Sequence, residues 1–259
     1  MSREQVLKWL NETGFPLEMA AAAAFRRAGF DVQQSATYVD PQSQKGREID
    51  VLASDPDLIG FIDLSVVVEC KSSSKPWVVL TSNDAIAGYN CLRTRAVMSE
   101  RVFDALISHK RTVKDLEVDQ YLHPGGRGGY GLRQAFAKDV DPGYGAAMSV
   151  VSACKGIISV TPAGGWPTLM ASIPMIVIDA PLFECELQPD GSLKVVEVES
   201  SEFLFSAHIP EKTASIVRVV HRSRLEAAAK WARSVVDALR KDLKPKEDEF
   251  FASMSNRKE

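Results

Sequence analysis

Cysteine is scarce in this chain, and what there is does not cluster. Cys70, Cys91, Cys154 and Cys185 stand far apart with no CxxC pair, so neither a zinc knuckle nor a dithiol redox motif is present. The four histidines, His109, His123, His208 and His221, show no HxH or HxxxH spacing, which removes the helical zinc motifs. Long apolar runs are missing as well. The alanine run Ala20 to Ala24 is bounded by Glu18, Arg26 and Arg27, and nothing approaches the roughly 20 apolar residues that span a bilayer. Met1 to Gln5 holds no apolar signal core. The expected setting is therefore reducing and cytoplasmic, with no membrane partner. A basic excess is lacking too: 31 Lys and Arg against 34 Asp and Glu leave a net charge of −3. That argues against coating nucleic acid by bulk charge and leaves room for a local basic groove. There is no Gly-x-Ser-x-Gly elbow, no P-loop and no GxGxxG opening a helix, so three common enzyme classes find no support.

What is present is the composition of an ordinary globular protein, 45% hydrophobic and 25% charged. Its 259 residues fit one large α/β domain. The reading is a single domain over 1–245 and a polar, frayed tail over 246–259. Residues 3–12 and 16–28 have helical patterns, the second opened by Pro16 and closed by Gly29. Residues 30–39, 47–53 and 61–71 read as three strands, with a polar turn at 41–46. Residues 83–97 and 99–108 read as helices, 123–131 as a glycine-rich loop and 143–155 as a helix. Strands are expected at 172–178, 182–187, 193–198 and 216–220, with a hairpin turn at 189–192. A last helix is expected at 225–239, with an apolar stripe at Ala228, Trp231, Val235 and Leu239.

One stretch does not fit a merely structural reading easily. Val66-Val67-Val68-Glu69-Cys70-Lys71 is an apolar strand that ends in a carboxylate and an amine two positions apart. Alternation along a strand puts Glu69 and Lys71 on one face and Cys70 on the other. Arg47 to Leu52 reads as the neighbouring strand and brings Asp50 to the same end. Two carboxylates beside a lysine can hold Mg²⁺, a hard ion that takes oxygen ligands, and activate a water. Taken alone, a Glu-x-Lys pair is more often a plain same-face ion pair.

With Glu18 on the helix before the first strand, Asp50 on the second, and Glu69, Cys70 and Lys71 closing the third, the chain resembles the PD-(D/E)XK nuclease superfamily. Residues of about 14–110 carry the resemblance. It implies a restriction-endonuclease-like fold: a mixed central sheet flanked by helices, here with additional C-terminal strands and a helix. It implies Asp50 and Glu69 as metal ligands and Lys71 as the group that positions or deprotonates the attacking water. Glu18 resembles the additional helix glutamate of many members. Ile49 stands where the family often has proline. The implied activity is Mg²⁺-dependent phosphodiester hydrolysis, with Mn²⁺ as the expected substitute and nucleic acid, by resemblance DNA, as the partner. The alternative is a nuclease-like module that binds and does not cleave. Nothing in the sequence indicates a homodimer.

Weaker signals have plain rivals. Glu18 equally serves a helix N-terminus, and Glu48, on Asp50's face by alternation, reads best as solvated. Ser72, Ser73 and Ser74 could donate to phosphate. Arg127, with Tyr130 and Arg133, could touch phosphate or stack on a base, or lie on a plain surface loop. Arg93, Arg95, Arg101, Lys110, Arg111 and Lys114 read as a solvated helical face or a basic groove wall.

Overall fold

The computed structural model describes residues 2–57, 60–89, 91–108, 115–122, 128–138, 141–160 and 168–255. Helix α1 spans Arg3–Asn11 and opens with a capping box between Ser2 and Gln5. Helix α2 spans Phe15–Arg27 with Pro16 in its first turn, and Gly29 at φ +89 releases the chain into the sheet. Strands β1 (Asp31–Val39), β2 (Gly46–Ser54) and β3 (Ile62–Ser72) form an antiparallel meander. Asp40 holds the first turn by accepting the N–H groups of Gln42 and Ser43.

Next come β4 (Trp77–Ser82), α3 (Cys91–Arg95), β5 (Val97–Met98), α4 (Glu100–Ser108), α5 (Asp119–Leu122) and β6 (Gly128–Gln134). Helix α6 covers Pro142–Ile158 and leads into β7 (Leu169–Asp179), which runs parallel to β3 along its whole length. Strands β8 (Leu182–Leu187), β9 (Leu193–Val198), β10 (Ser200–His208) and β11 (Lys212–His221) follow, and α7 closes the chain over Leu225–Ser255. All eleven strands belong to one mixed sheet ordered β1-β2-β3-β7-β11-β10-β6-β4-β8-β9, with β5 beside β7.

This sheet separates two cores. Val66, Val68 and Cys70 face α2 and α7, while Val67 faces α6 together with Ile176 and Ile178 of β7. The three valines are 0–1% exposed. The run is apolar because both faces are covered, as in central parallel strands. Asp55 at the end of β2 anchors α7 through Arg233 and Arg240. Among the described residues, no helix is long and apolar enough to cross a membrane.

Several expectations are corrected. The helix read over 83–97 is a turn, the short α3 and the two-residue β5; Gly88 at φ +81 interrupts any helix there. The loop read over 123–131 is partly strand. Gly128 to Gln134 form β6, and 123–127 lie outside the described residues. Strands β4 and β10 went unread; the partners of β4 are distant in sequence, whereas β10 forms a hairpin with the neighbouring β11. Trp77, read as packing the next loop, is a core residue, 1% exposed. The frayed tail over 246–259 is helix as far as Ser255: α7 runs through Pro245, and Phe250 stacks on buried Phe61 at 4.5 Å. Apolar contact at one face outweighs the charged composition of that segment. Arg95 is no solvated face residue either. It is 6% exposed and donates both arms to Glu202 at 2.6 and 2.7 Å.

Candidate active site

The β2–β3 ladder stops one residue short of the expected site. Val51 pairs with Val68, but the next opposed residues, Asp50 and Glu69, do not pair. On the other side, β1 pairs through Gln34 with Val51 and through Ala36 with Ile49, skipping Ser35 and Asp50. Ser35 there has φ +53, a conformation most L residues avoid. The hairpin bends at this point. Ile49 and Val51, two apart and normally on one face, enter opposite cores: Ile49 under α6 and Val51 under α2. The bend leaves the Cys70 N–H without a strand partner, and the Asp50 carboxylate takes it instead, with Oδ2 accepting at 2.7 Å. A side chain here replaces a ladder bond, so Asp50 sits between two strands at the point where they part.

Glu69 and Lys71 leave β3 on the α6 side. Glu69 is 8% exposed. Its Oε1 lies 2.5 Å from Lys71 Nζ, and its Oε2 accepts from Ser149 Oγ of α6 at 2.8 Å. Cys70 points the other way into the α2 core, as alternation requires. Glu18, in the first turn of α2, is half-buried near the same strand ends. It senses Glu48, Glu69 and Lys71 electrostatically.

Charge is crowded here. Burial, then the Glu69 charge, push Asp50 up to about 6, and Glu18 adds to this, while the Cys70 amide and Lys71 pull back. Burial also raises Glu18, with Glu48 and Glu69 adding to it and Lys71 opposing. Burial alone would pull Lys71 down. The Glu69 charge and hydrogen bond outweigh it, with Asp50 helping, and Lys71 is raised. At neutral pH Lys71 is therefore a cation and a donor. Cys70 is pushed far up by burial and then by Asp50, so its thiol is not a nucleophile.

The four residues read from sequence thus gather where the β2–β3 ladder ends. The others do not. Ser73 Oγ accepts from Gln134 Nε2 at 2.8 Å and from the Lys75 amide at 3.0 Å, which fixes a loop rather than offering a phosphate contact. Ser72 is exposed at the end of β3, beside Asp179 of β7. Arg127 lies outside the described residues, as do Lys110, Arg111 and Lys114. Glu48 is exposed, as expected. Ser149 went unread. It lies 80 residues from Glu69 in a helix of small residues, and no local signal marks it. The helix that covers the site is α6, not the segment immediately after β3.

The donor set suits a hard divalent cation. Two part-buried carboxylates that repel one another are relieved by a shared positive charge. Asp50 Oδ1 accepts no hydrogen bond from the described residues, and each Glu69 oxygen retains a second lone pair. Among the described residues no group of three or more His, Cys, Asp or Glu side chains is arranged to hold a metal ion. Any ion here would therefore complete its shell with water and substrate oxygen, the usual habit of Mg²⁺. In comparison with known proteins, the chain matches no family model, no curated protein and no solved structure.

Proposed function

We propose that this protein is a Mg²⁺-dependent nuclease of restriction-endonuclease-like fold, with Asp50 and Glu69 as metal ligands, Lys71 beside the attacking water and Glu18 assisting. The observation that carries the reading is the parted β2–β3 end, where Asp50, Glu69 and Lys71 converge and Asp50 is raised to about 6 by burial and by Glu69. Topology supports it as well. Helix α2, the meander β1–β3, helix α6 and the parallel strand β7 form the helix, three strands, helix, strand order of that fold, with β4 to β6 inserted between β3 and α6. Mn²⁺ is the expected substitute for Mg²⁺, and DNA the first polymer to try.

When bound, the ion would lower the pKa of a water and offset charge on the scissile phosphate. The chain does the rest. Ser149 and Lys71 fix the Glu69 carboxylate from both sides. The Cys70 amide fixes Asp50. Lys71, held as an ammonium by Glu69, orients the water and donates to the phosphate as negative charge builds. It does not abstract the proton. The water gives up a proton to bulk solvent as its oxygen bonds to phosphorus, one phosphorus–oxygen bond to the chain breaks, and the departing oxygen takes up a proton from solvent.

A cleavage assay on plasmid, linear duplex and single-stranded substrates, with and without Mg²⁺, tests the reading. Lys71→Ala serves as the control, its fold checked by circular dichroism. Metal-dependent cleavage lost in the variant is expected. Absence of metal-dependent cleavage, or cleavage unchanged in the variant, overturns it. A second reading is a module that binds without cleaving. The Lys71–Glu69 ion pair favours it, because it closes part of the site on itself.

A further inference from the structure

The glycine-rich segment that precedes α6 is built into a cleft. Strand β6 carries a bulge against β4: Leu80 faces Gly131 and Thr81 faces Gly129, so Tyr130 is the extra residue. Bulges of this kind re-aim a side chain beside functional sites, and Tyr130 is left 59% exposed. The flanking glycines allow the close packing that frames it. A Cβ on Gly129 would stand 2.4 Å from Val79 and 2.6 Å from Phe203, and one on Gly143 would stand 2.1 Å from the Leu132 carbonyl oxygen. The start of α6 thus presses onto the β6 backbone and brings Tyr144, 48% exposed, opposite Tyr130. Between them lies a cleft of about 280 Å³ lined by Tyr130, Gly131, Arg133, Tyr144 and Phe205. Phe205 meets Tyr144 edge-on at 5.5 Å.

Arg133 pairs at the rim with Asp141, the N-cap of α6, at 3.0 Å. Beyond it Phe136 holds φ +60 and is 79% exposed, a strained backbone and an apolar ring kept in water. This loop is tied to the chain just after Lys71. Gln134 donates to Ser73, the Ala135 amide to the Pro76 carbonyl, and Lys75 Nζ to the Phe136 carbonyl at 3.0 Å. Tyr144 stands five residues before Ser149 on α6, about 7.5 Å along the helix axis. The chain after Lys71 and helix α6 thus link this cleft to the carboxylate–lysine site.

We infer that this cleft is a nucleobase-stacking subsite and that the substrate strand enters it with its bases unpaired. Tyrosine rings facing solvent across a glycine floor, with a guanidinium at the rim, are the surface on which bases stack without regard to sequence. A duplex keeps its base faces covered by neighbouring pairs and cannot use such a surface. The volume suits one planar ring system better than a whole ligand. This assignment of substrate class rests on the nuclease reading, but the base-stacking itself does not.

The test is fluorescence anisotropy with a labelled oligothymidylate, an abasic strand of the same length and a blunt duplex. EDTA is present so that no strand is cut. The oligothymidylate is expected to bind about 10-fold more tightly than the abasic strand, and more tightly than the duplex. Tyr130→Ala and Tyr144→Ala should each lose about 10-fold on the oligothymidylate and little on the abasic strand, while Tyr144→Phe keeps the affinity. Both side chains are exposed, so these variants fold. Equal binding of the abasic strand, a duplex bound as tightly, or alanine variants indistinguishable from wild type overturns the inference. Base-dependent binding without any Mg²⁺-dependent cleavage sinks the nuclease reading alone. Cleavage of duplex without base-dependent binding sinks the stacking subsite alone.

Discussion

Asp50→Asn should make the metal-free protein more stable at pH 7.5, which is unusual for a change inside a part-buried polar cluster. Asp50 stands near 6 against an ordinary 3.8, raised by burial and then by Glu69. A shift of that size corresponds to about 3 kcal/mol against the charged form. The side chain is part-exposed, so solvent screening trims this to about 1–2 kcal/mol. The folded pKa lies above the unfolded one. The penalty is therefore absent below about pH 3.8, grows between 3.8 and about 6, and is complete above 6. Asparagine removes the charge and can still accept the Cys70 amide. Urea denaturation in EDTA should show Asp50→Asn about 1–2 kcal/mol more stable than wild type at pH 7.5, with the gap closing towards pH 4. Added Mg²⁺ should close most of that gap. At a dissociation constant on the order of 1 mM, 10 mM Mg²⁺ stabilises wild type by about 1.4 kcal/mol and the variant by almost nothing. A variant less stable than wild type at pH 7.5, or a gap independent of pH, would mean that Asp50 is a satisfied structural partner. The metal-site reasoning would then fail.

Other perturbations separate the roles of neighbouring residues. Lys71→Ala leaves the buried Glu69 carboxylate without its cation and should cost about 1–3 kcal/mol in urea denaturation at pH 7.5, besides abolishing cleavage. Ser149→Ala removes the second partner of Glu69 and should cost about 1–2 kcal/mol, read by the same method. Phe250→Ala should lower stability by about 2 kcal/mol, because the ring stacks on buried Phe61; a frayed tail would show no change. Gly143→Ala forces a methyl onto the Leu132 carbonyl and should cost about 1–3 kcal/mol, visible as a lower thermal midpoint.

The parts of the site that were legible in sequence are those set by local periodicity. Alternation along β3 is a property of six consecutive residues, and it correctly sends Glu69 towards α6 and Cys70 towards α2. The turn at Gly29 and the meander β1–β3 follow from punctuation residues and short apolar runs. Glycine misled the reading at β6. Gly128, Gly129 and Gly131 look like loop, but they lie in a strand, and at Gly129 the Val79 and Phe203 side chains leave no room for a side chain. Charge misled it at the C-terminus and at Arg95. Lys, Glu and Asp between residues 240 and 250 suggest a solvated tail, and an arginine suggests a surface. Burial at each place is decided by a partner over a hundred residues away.

The sequence by itself determined that a carboxylate, a thiol and an amine end a doubly buried strand, with an aspartate one strand earlier and a glutamate on the preceding helix. Tertiary structure decided how these groups are used. The ladder opens at Asp50, so that a side chain takes the Cys70 amide. Ser149 arrives from a helix 80 residues on to fix Glu69. The bulge at Tyr130 turns an aromatic ring outwards. The physical reason is range. Side-chain direction depends on the nearest residues, whereas protonation, hydrogen-bond satisfaction and the space left beside a glycine depend on whatever the folded chain brings against them.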